Sequence, residues 1–131
     1  MKKILLIEDE AALQKSLSDT LRNTGFEVFS ALDGEIGERL AKSEHPDLII
    51  LDLILPKKDG FEVFKALKDD KDTQDIPVVI LTNLEKIENV EKVLEMGAKT
   101  YLVKANYTLQ EIVEKISQVL REAEPFGDGR A

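Results

Sequence analysis

The sequence has no cysteine, a single histidine and no long apolar run. Without cysteine, the chain cannot form disulfides, thiolate metal sites or a cysteine nucleophile. No apolar run approaches the roughly 20 residues that span a bilayer. The start, Met1-Lys2-Lys3, leads through a short apolar run directly into acids, which is unlike a signal peptide. We therefore expect a cytoplasmic protein that has no contact with a membrane.

Basic residues are in the minority, with 18 lysines and arginines against 26 acids and a net charge of −8. Nucleic-acid binding would need a basic footprint, so we expect none by this chain, although a DNA-binding partner domain is not excluded. The 131 residues suffice for one domain with a buried core. The apolar pattern stops after Glu122, which predicts a domain over residues 1–122 and a flexible tail or linker stub over residues 123–131.

Short apolar runs alternate along the chain with segments of helical periodicity. The first, third and fourth runs are almost continuously apolar, as in strands covered on both faces, and the second and fifth are more mixed, as at sheet edges. The runs cover residues 4–7, 28–31, 48–51, 78–81 and 101–103. Alternating strands and helices favour a doubly wound α/β fold with a parallel sheet and right-handed crossovers.

Five apolar stripes with a period near 3.6 residues predict the helices. Gly25 and Gly97 stand where the first and fourth helices would end, and Thr108 with Glu111 forms a capping box at the start of the fifth. The stripes are Leu13, Leu17 and Leu21; Leu40 and Ala41; Phe61, Phe64 and Leu67; Leu84, Ile87, Val90, Val93 and Leu94; and Leu109, Ile112, Val113, Ile116, Val119 and Leu120.

Polar residues stand at the carboxyl ends of four runs, where open parallel sheets bind ligands. Asp52 interrupts a long apolar stretch, and a lone carboxylate there is costly unless it is paired. The alternative, a capping role, is weaker because Pro56 and Asp59-Gly60 already supply a turn. Asp52 is therefore the leading candidate for a functional residue.

Glu8 and Asp9 follow the first run and would lie beside Asp52 if the first and third strands are neighbours. Three clustered acids repel one another and need a cation, and hard oxygen ligands with open positions suit Mg²⁺ and a phosphate oxygen. The alternative is that the two acids cap the first helix.

Thr82 and Lys104 end the fourth and fifth runs. The lysine would aim a positive charge at phosphoryl oxygens, and the threonine would donate a hydrogen bond to them. The alternatives are an exposed lysine and an ordinary β-branched strand residue.

Four segments together resemble the receiver domains of two-component response regulators, over about residues 3–121. They are Ile7-Glu8-Asp9-Glu10, Leu51-Asp52-Leu53-Ile54-Leu55-Pro56-Lys57-Lys58-Asp59-Gly60, Leu81-Thr82 and Gly97-Ala98-Lys99-Thr100-Tyr101-Leu102-Val103-Lys104. The resemblance implies a flavodoxin-like five-stranded parallel sheet of order 2-1-3-4-5 with helices on both faces.

The resemblance also implies roles. Asp52 would accept a phosphoryl group from a histidine kinase or phosphotransfer protein. Mg²⁺ would bind to Asp9, Asp52 and the Ile54 backbone carbonyl directly and to Glu8 through water. Thr82 would move toward the phosphoryl group and Tyr101 would turn inward behind it, although Tyr101 could instead be a half-buried edge aromatic.

Two positions depart from the family pattern. Ala105 replaces the usual proline after the lysine, and because a cis bond without proline costs about 3 kcal/mol we predict a trans bond and a shifted loop at residues 105–106. Asn83 replaces a small residue after Thr82 and would either crowd the phosphoryl group or hydrogen-bond to it.

Ile54 and Leu84 stand two residues beyond Asp52 and Thr82, where members that lose phosphate quickly carry polar groups. Two apolar side chains there should exclude the attacking water, so we predict slow self-dephosphorylation. His45 precedes Pro46 in a predicted loop and has no special role, so this chain is not itself a histidine phosphocarrier.

Two rival functions remain. A phosphatase of the haloacid-dehalogenase-like class would carry Asp-x-Asp after its first strand, where this chain has Glu8-Asp9-Glu10. A degenerate receiver would be a phosphorylation-independent binding module. We expect a signalling domain rather than an enzyme, with output to a protein target or output domain through the surface of the fourth helix, fifth strand and fifth helix, where Val90 is a candidate contact or a core residue.

Overall fold

The computed structural model describes residues 1–123 and contains five strands that alternate with five helices. The strands are β1 (Lys3–Ile7), β2 (Glu27–Ala31), β3 (Leu48–Leu51), β4 (Val78–Thr82) and β5 (Thr100–Val103). The helices are α1 (Ala11–Asn23), α2 (Gly34–Glu44), α3 (Gly60–Asp69), α4 (Ile87–Glu95) and α5 (Leu109–Ala123), and a 3-10 turn (Lys104–Asn106) follows β5.

All strand pairings are parallel, in the order β2-β1-β3-β4-β5. This confirms the predicted doubly wound α/β fold and its strand order. The central strands β1, β3 and β4 are buried almost throughout, whereas β2 and β5 lie at the edges and carry partly exposed residues. The continuous apolar runs therefore correctly predicted that β1, β3 and β4 are buried on both faces.

The sheet divides the core into two apolar layers because alternate strand residues face opposite sides. Ile4 and Leu6 of β1 pack in the layer that contains Leu17 of α1 and Ile116 of α5. Leu5 and Ile7 pack in the opposite layer, beneath α2, α3 and α4. Each fully buried aliphatic side chain contributes about 1.5–3 kcal/mol, so these layers fix the strand ends on which the polar rim stands.

The predicted helix ends are observed. Gly25 and Gly97 adopt positive φ angles of 104° and 107° just past α1 and α4, a conformation that glycine adopts without strain. At the start of α5 the Thr108 amide donates to Glu111 Oε1 (2.8 Å), and the Glu111 amide donates to Thr108 Oγ1 (3.1 Å). The capping box is therefore confirmed.

The fourth helix was predicted too long. Leu84 matches its apolar stripe, but α4 begins only at Ile87 because Lys86 is extended, with φ −62° and ψ 132°. Leu84 packs against the core from the loop before the helix. At the other end of the chain, α5 continues to Ala123, one residue past the predicted domain boundary, and the rest of the predicted tail lies outside the described residues.

No helix within residues 1–123 is long and apolar enough to cross a membrane. His45 caps the end of α2 in a left-handed conformation (φ 49°), ahead of the residues that lead into β3.

Candidate functional site

The polar residues from four strand ends meet at one edge of the sheet. Asp52 follows β3 directly, and its amide donates to the Ile7 carbonyl at the end of β1 (3.1 Å). This bond places Asp52 beside the acids that follow β1. One carboxylate oxygen from each of Glu8, Asp9 and Asp52 lies within 4.8 Å of the other two. The predicted adjacency of the three acids is therefore present.

Two of these acids are removed from water. Glu8 is 1% exposed and Asp52 is 4% exposed, whereas Asp9 is exposed. Burial raises the pKa of Glu8 above its usual range, although the close contact with Lys104 acts in the opposite direction. Buried carboxylates of this kind require a positive charge nearby.

Lys104 supplies that positive charge. Its Nζ lies 2.8 Å from Glu8 Oε1 and 2.8 Å from Asp52 Oδ2, and 3.8 Å from Glu10 Oε1. Burial lowers the pKa of Lys104, but the bonds to Asp52 and Glu8 outweigh it and raise the pKa overall. The lysine is therefore not simply exposed at a strand end. The peptide bond to Ala105 is trans, as predicted.

The acids are not fully compensated by Lys104. Glu8 Oε1 forms an ion pair with Lys104 (2.8 Å) but accepts no hydrogen bond of good geometry, while Glu8 Oε2 accepts from the Glu10 amide (2.9 Å). Glu10, the residue before α1, makes no side-chain capping bond of its own. One lysine against three or four carboxylates leaves a negative site of hard oxygen donors. The cluster is compatible with a divalent metal ion.

The segment after Asp52 holds this carboxylate in place. The Ile54 amide donates to Asp52 Oδ1 (3.1 Å), and the Gly60 amide donates to the Leu53 carbonyl (2.9 Å). A Cβ on Gly60 would lie 2.3 Å from the Asp52 carbonyl oxygen, so a side chain at this position would displace the backbone. Asp59 caps α3 through the Glu62 amide. Ile54 itself is 53% exposed.

The opposite side of the site is built from β4 and β5. Thr82 is fully buried, and its hydroxyl oxygen is a weak acceptor for the Leu84 amide at 3.5 Å. Tyr101 is half-buried and its hydroxyl donates to the Leu84 carbonyl (2.7 Å). Burial, followed by the charge of Asp52, raises the pKa of Tyr101. Asn83 is exposed, and Leu84 is half-buried.

The response regulator receiver domain family matches residues 4–117 of this chain. The chain belongs to this family. The receiver is 40% identical over 124 residues to the DNA-binding dual master transcriptional regulator RpaA of Synechocystis sp., which covers 95% of the chain and 51% of that protein. The chain thus spans about half the length of the curated relatives it matches.

Solved structures agree with this assignment. A CheY-like receiver domain protein of Methanospirillum hungatei JF-1 superposes with a TM-score of 0.88 at 27% identity, covering 97% of this chain and 99% of that chain. The Mn(2+)-bound form of response regulator Rcp1 superposes with a TM-score of 0.76 at 32% identity, covering 90% of this chain and 93% of that chain.

The predicted output surface of the receiver has exposed apolar residues on α4. Ile87 is 66% exposed and Leu94 is 44% exposed, whereas Val93 is buried. Val90 is half-buried, so its exposure does not distinguish a contact residue from a core residue. Tyr101 on β5 connects this surface to the loop that carries Leu84.

Sequence patterns did not indicate two polar groups that brace the receiver's site. Gln14 on α1 donates to the carbonyls of Glu8 and Ala31, at 3.0 Å each. Lys58, in the loop after β3, pairs with Glu38 on α2. These three contacts join residues that are 6, 17 and 20 positions apart, and no local spacing signals them.

Proposed function

We propose that this receiver is a phosphoacceptor that takes a phosphoryl group onto Asp52 from a phosphohistidine of a histidine kinase or phosphotransfer protein. The observation that carries the proposal is the nearly buried Asp52 carboxylate, bonded to Lys104 and flanked by Glu8 and Asp9. An Asp52 oxygen attacks phosphorus, the phosphorus–nitrogen bond breaks, and the histidine leaves with the electron pair while an acyl phosphate forms. Such transfer depends mainly on positioning and electrostatics.

A Mg²⁺ ion fits the acidic side of this site. Asp9, Asp52 and the Ile54 carbonyl would hold it directly, and Glu8 would hold it through water. Bound there, the ion would neutralise charge on the phosphoryl oxygens. The support is the donor set itself, all oxygen, together with the negative charge that Lys104 leaves uncompensated. The similar Rcp1 structure is a Mn(2+)-bound form.

The remaining side chains handle the phosphoryl oxygens and the signal. Lys104 would shift from Asp52 to a phosphoryl oxygen, and the Thr82 hydroxyl, only weakly engaged with Leu84, would donate a hydrogen bond to another. Asn83 lies exposed beside this position and would contact the incoming group. Tyr101 would report the change to the α4–β5–α5 surface through its bond to Leu84.

We further propose that the phosphorylated state is long-lived. Ile54 and Leu84 flank the position of the phosphoryl group and offer no polar atom on their side chains to orient an attacking water. The domain would assist only its own phosphorylation and dephosphorylation and would not be an enzyme for other substrates.

The output partner is a protein target or an output domain that reads the α4–β5–α5 surface. The exposed Ile87 and Leu94 support this location. With a net charge of −8, this chain is not proposed to bind nucleic acid itself. A cytoplasmic location and the boundary of the domain at residue 122 stay predictions.

Intact-protein mass after incubation with Mg²⁺ and acetyl phosphate tests the proposal, with Asp52→Asn as the matched control. We expect one added phosphoryl group on the wild type and none on the variant. If neither gains it, beryllofluoride, which mimics the phosphoryl group, is tested by its effect on thermal stability. Failure of both would overturn the proposal in favour of a phosphorylation-independent binding module.

A further inference from the structure

Gln14 connects α1 to the ends of two strands at the acidic rim. Its Nε2 donates to the Glu8 carbonyl and to the Ala31 carbonyl, each at 3.0 Å. The Ala31 oxygen also accepts from the Glu8 amide (3.0 Å), which is the last bond between β2 and the residues that follow β1. The hydrogen-bond ladder between β1 and β2 stops at this point, and the side-chain amide of Gln14 supplies the hydrogen bonds that a further backbone donor would otherwise make.

The Glu8 carbonyl belongs to the peptide that joins Glu8 to Asp9. Because this peptide is planar, fixing its oxygen also fixes the direction of the Asp9 amide and thus the start of the Asp9 side chain. Glu8 is also held at two other points, because its amide donates to the Ala31 carbonyl and its carboxylate accepts from the Glu10 amide. Asp9 is exposed, and within residues 1–123 no hydrogen bond holds it to a neighbouring element. Its placement depends on the Glu8 peptide.

We infer that Gln14 is a positioning residue for the metal site: its side-chain amide sets the orientation of the Glu8–Asp9 peptide and thereby the distance between the Asp9 and Asp52 carboxylates. The inference rests on the proposed function and assigns a role to a residue outside the ligand set. Groups that hydrogen-bond to metal-ligating residues, and so orient them, affect metal affinity without contacting the ion.

The test compares Gln14→Met with Thr20→Val. Methionine keeps the unbranched shape and the helix propensity of glutamine but cannot donate either bond. Thr20→Val is the matched control, because it removes one side-chain bond to a backbone carbonyl on the same helix, from Thr20 Oγ1 to Ser16, away from the site. Mn²⁺ binding is measured by electron paramagnetic resonance with Mg²⁺ as competitor, at a temperature where circular dichroism shows both variants folded.

We expect Gln14→Met to raise the Mg²⁺ dissociation constant about three- to ten-fold, the range that corresponds to the net contribution of about one hydrogen bond, and Thr20→Val to leave it unchanged. Phosphorylation by acetyl phosphate should need correspondingly more Mg²⁺ for half-maximal rate, with a nearly unchanged rate at saturating Mg²⁺. If Gln14→Met does not fold, Gln14→Leu, which also lacks a donor, replaces it in both measurements.

If Gln14 is only structural, Gln14→Met will lower the melting temperature and leave the Mg²⁺ dissociation constant unchanged. That result would overturn the inference and leave the proposed function intact. Equal weakening by Thr20→Val would also overturn it, because the effect would then follow helix stability. A wild type that binds no metal at millimolar concentration would overturn the proposed function, and with it this inference.

Discussion

Replacement of Lys104 by methionine isolates the charge balance of the site. The lysine Nζ is 2.8 Å from an oxygen of Glu8 and 2.8 Å from an oxygen of Asp52, and only 12% of its side chain is exposed. Methionine retains much of the apolar stem and removes the charge. The variant leaves two buried carboxylates facing each other and Asp9 without a cation.

The expected loss follows from this burial. Removing one partner of a buried ion pair typically costs about 3–5 kcal/mol, because the remaining charge stays desolvated. Here the small exposure of the site allows some water to reach the carboxylates, so we expect the lower end, about 3 kcal/mol at pH 7 without metal. This is about a hundred-fold change in the unfolding equilibrium. Mg²⁺ should stabilise the variant relative to its own metal-free state, since a ligand that binds only the folded state at a hundred times its dissociation constant adds about 2.7 kcal/mol.

Urea denaturation followed by circular dichroism, with EDTA and with 10 mM Mg²⁺ as an approximate saturating choice, measures both quantities. Lys15→Met is the matched control, because Lys15 pairs with Asp19 at 3.0 Å on the open face of α1, where its side chain is 80% exposed. Such pairs contribute little. If Lys104→Met destabilises the chain no more than Lys15→Met does, Lys104 does not compensate buried charge and the reasoning about the site is wrong.

Four further variants test the surroundings of the site. Ile54→Asn or Leu84→Glu should shorten the lifetime of the phosphorylated protein at least several-fold by orienting water, as measured by the decay of intact phosphoprotein mass, and an unchanged lifetime would contradict the proposed shielding. Lys58→Met should lower the stability by about 0.5–1 kcal/mol at pH 7. Burial raises the pKa of Glu38, but Lys58 and Lys42 outweigh it and lower the pKa below 4.5. The stabilisation by the Lys58–Glu38 ion pair is present above pH 4.5 and is lost as the pH falls through the lowered pKa of Glu38. The urea midpoints of the variant and the wild type should therefore converge in acid. A difference that stays constant with pH would argue against the ion pair. Gly34→Ala would place a Cβ 1.9 Å from the Lys58 carbonyl oxygen and should cost about 3 kcal/mol in the same assay, whereas an unchanged midpoint would mean that the loop yields freely.

Much of the fold could be predicted from the sequence because apolar runs and stripes report burial directly. The strand ends were equally informative, since parallel pairing carries Asp52, Thr82 and Lys104 to one edge whatever the details of packing. The start of α4 could not be predicted in this way. Leu84 faces the core from a loop, so it satisfies a helical spacing without being helical.

The contacts of Gln14 and Lys58 could not be predicted from the sequence for a different reason. The bond from Gln14 to Ala31 depends on how α1 lies across the sheet and on the register of β2, and both are properties of the packed structure. The same holds for Lys58 and Glu38, which meet only because α2 packs on the loop after β3. A glutamine or a lysine at such a position is common on any helix or loop, so its residue type carries no signal.

The acidic side of the site, after β1, is held by more hydrogen bonds than the side formed by Leu84 and Tyr101. This difference is consistent with a switch. Glu8 is fixed at its amide, its carbonyl and its carboxylate, and the Ile7 carbonyl beside it accepts from the Asp52 amide, so Glu8 and Asp52 are held together at the adjoining ends of β1 and β3. On the other side, Leu84 is joined to β5 through the Tyr101 hydroxyl, and α4 begins without a side-chain cap. If Asp52 is phosphorylated as proposed, we expect the new charge to be accommodated mainly by rearrangement of the loop before α4, because Glu8 is held by more hydrogen bonds than Leu84.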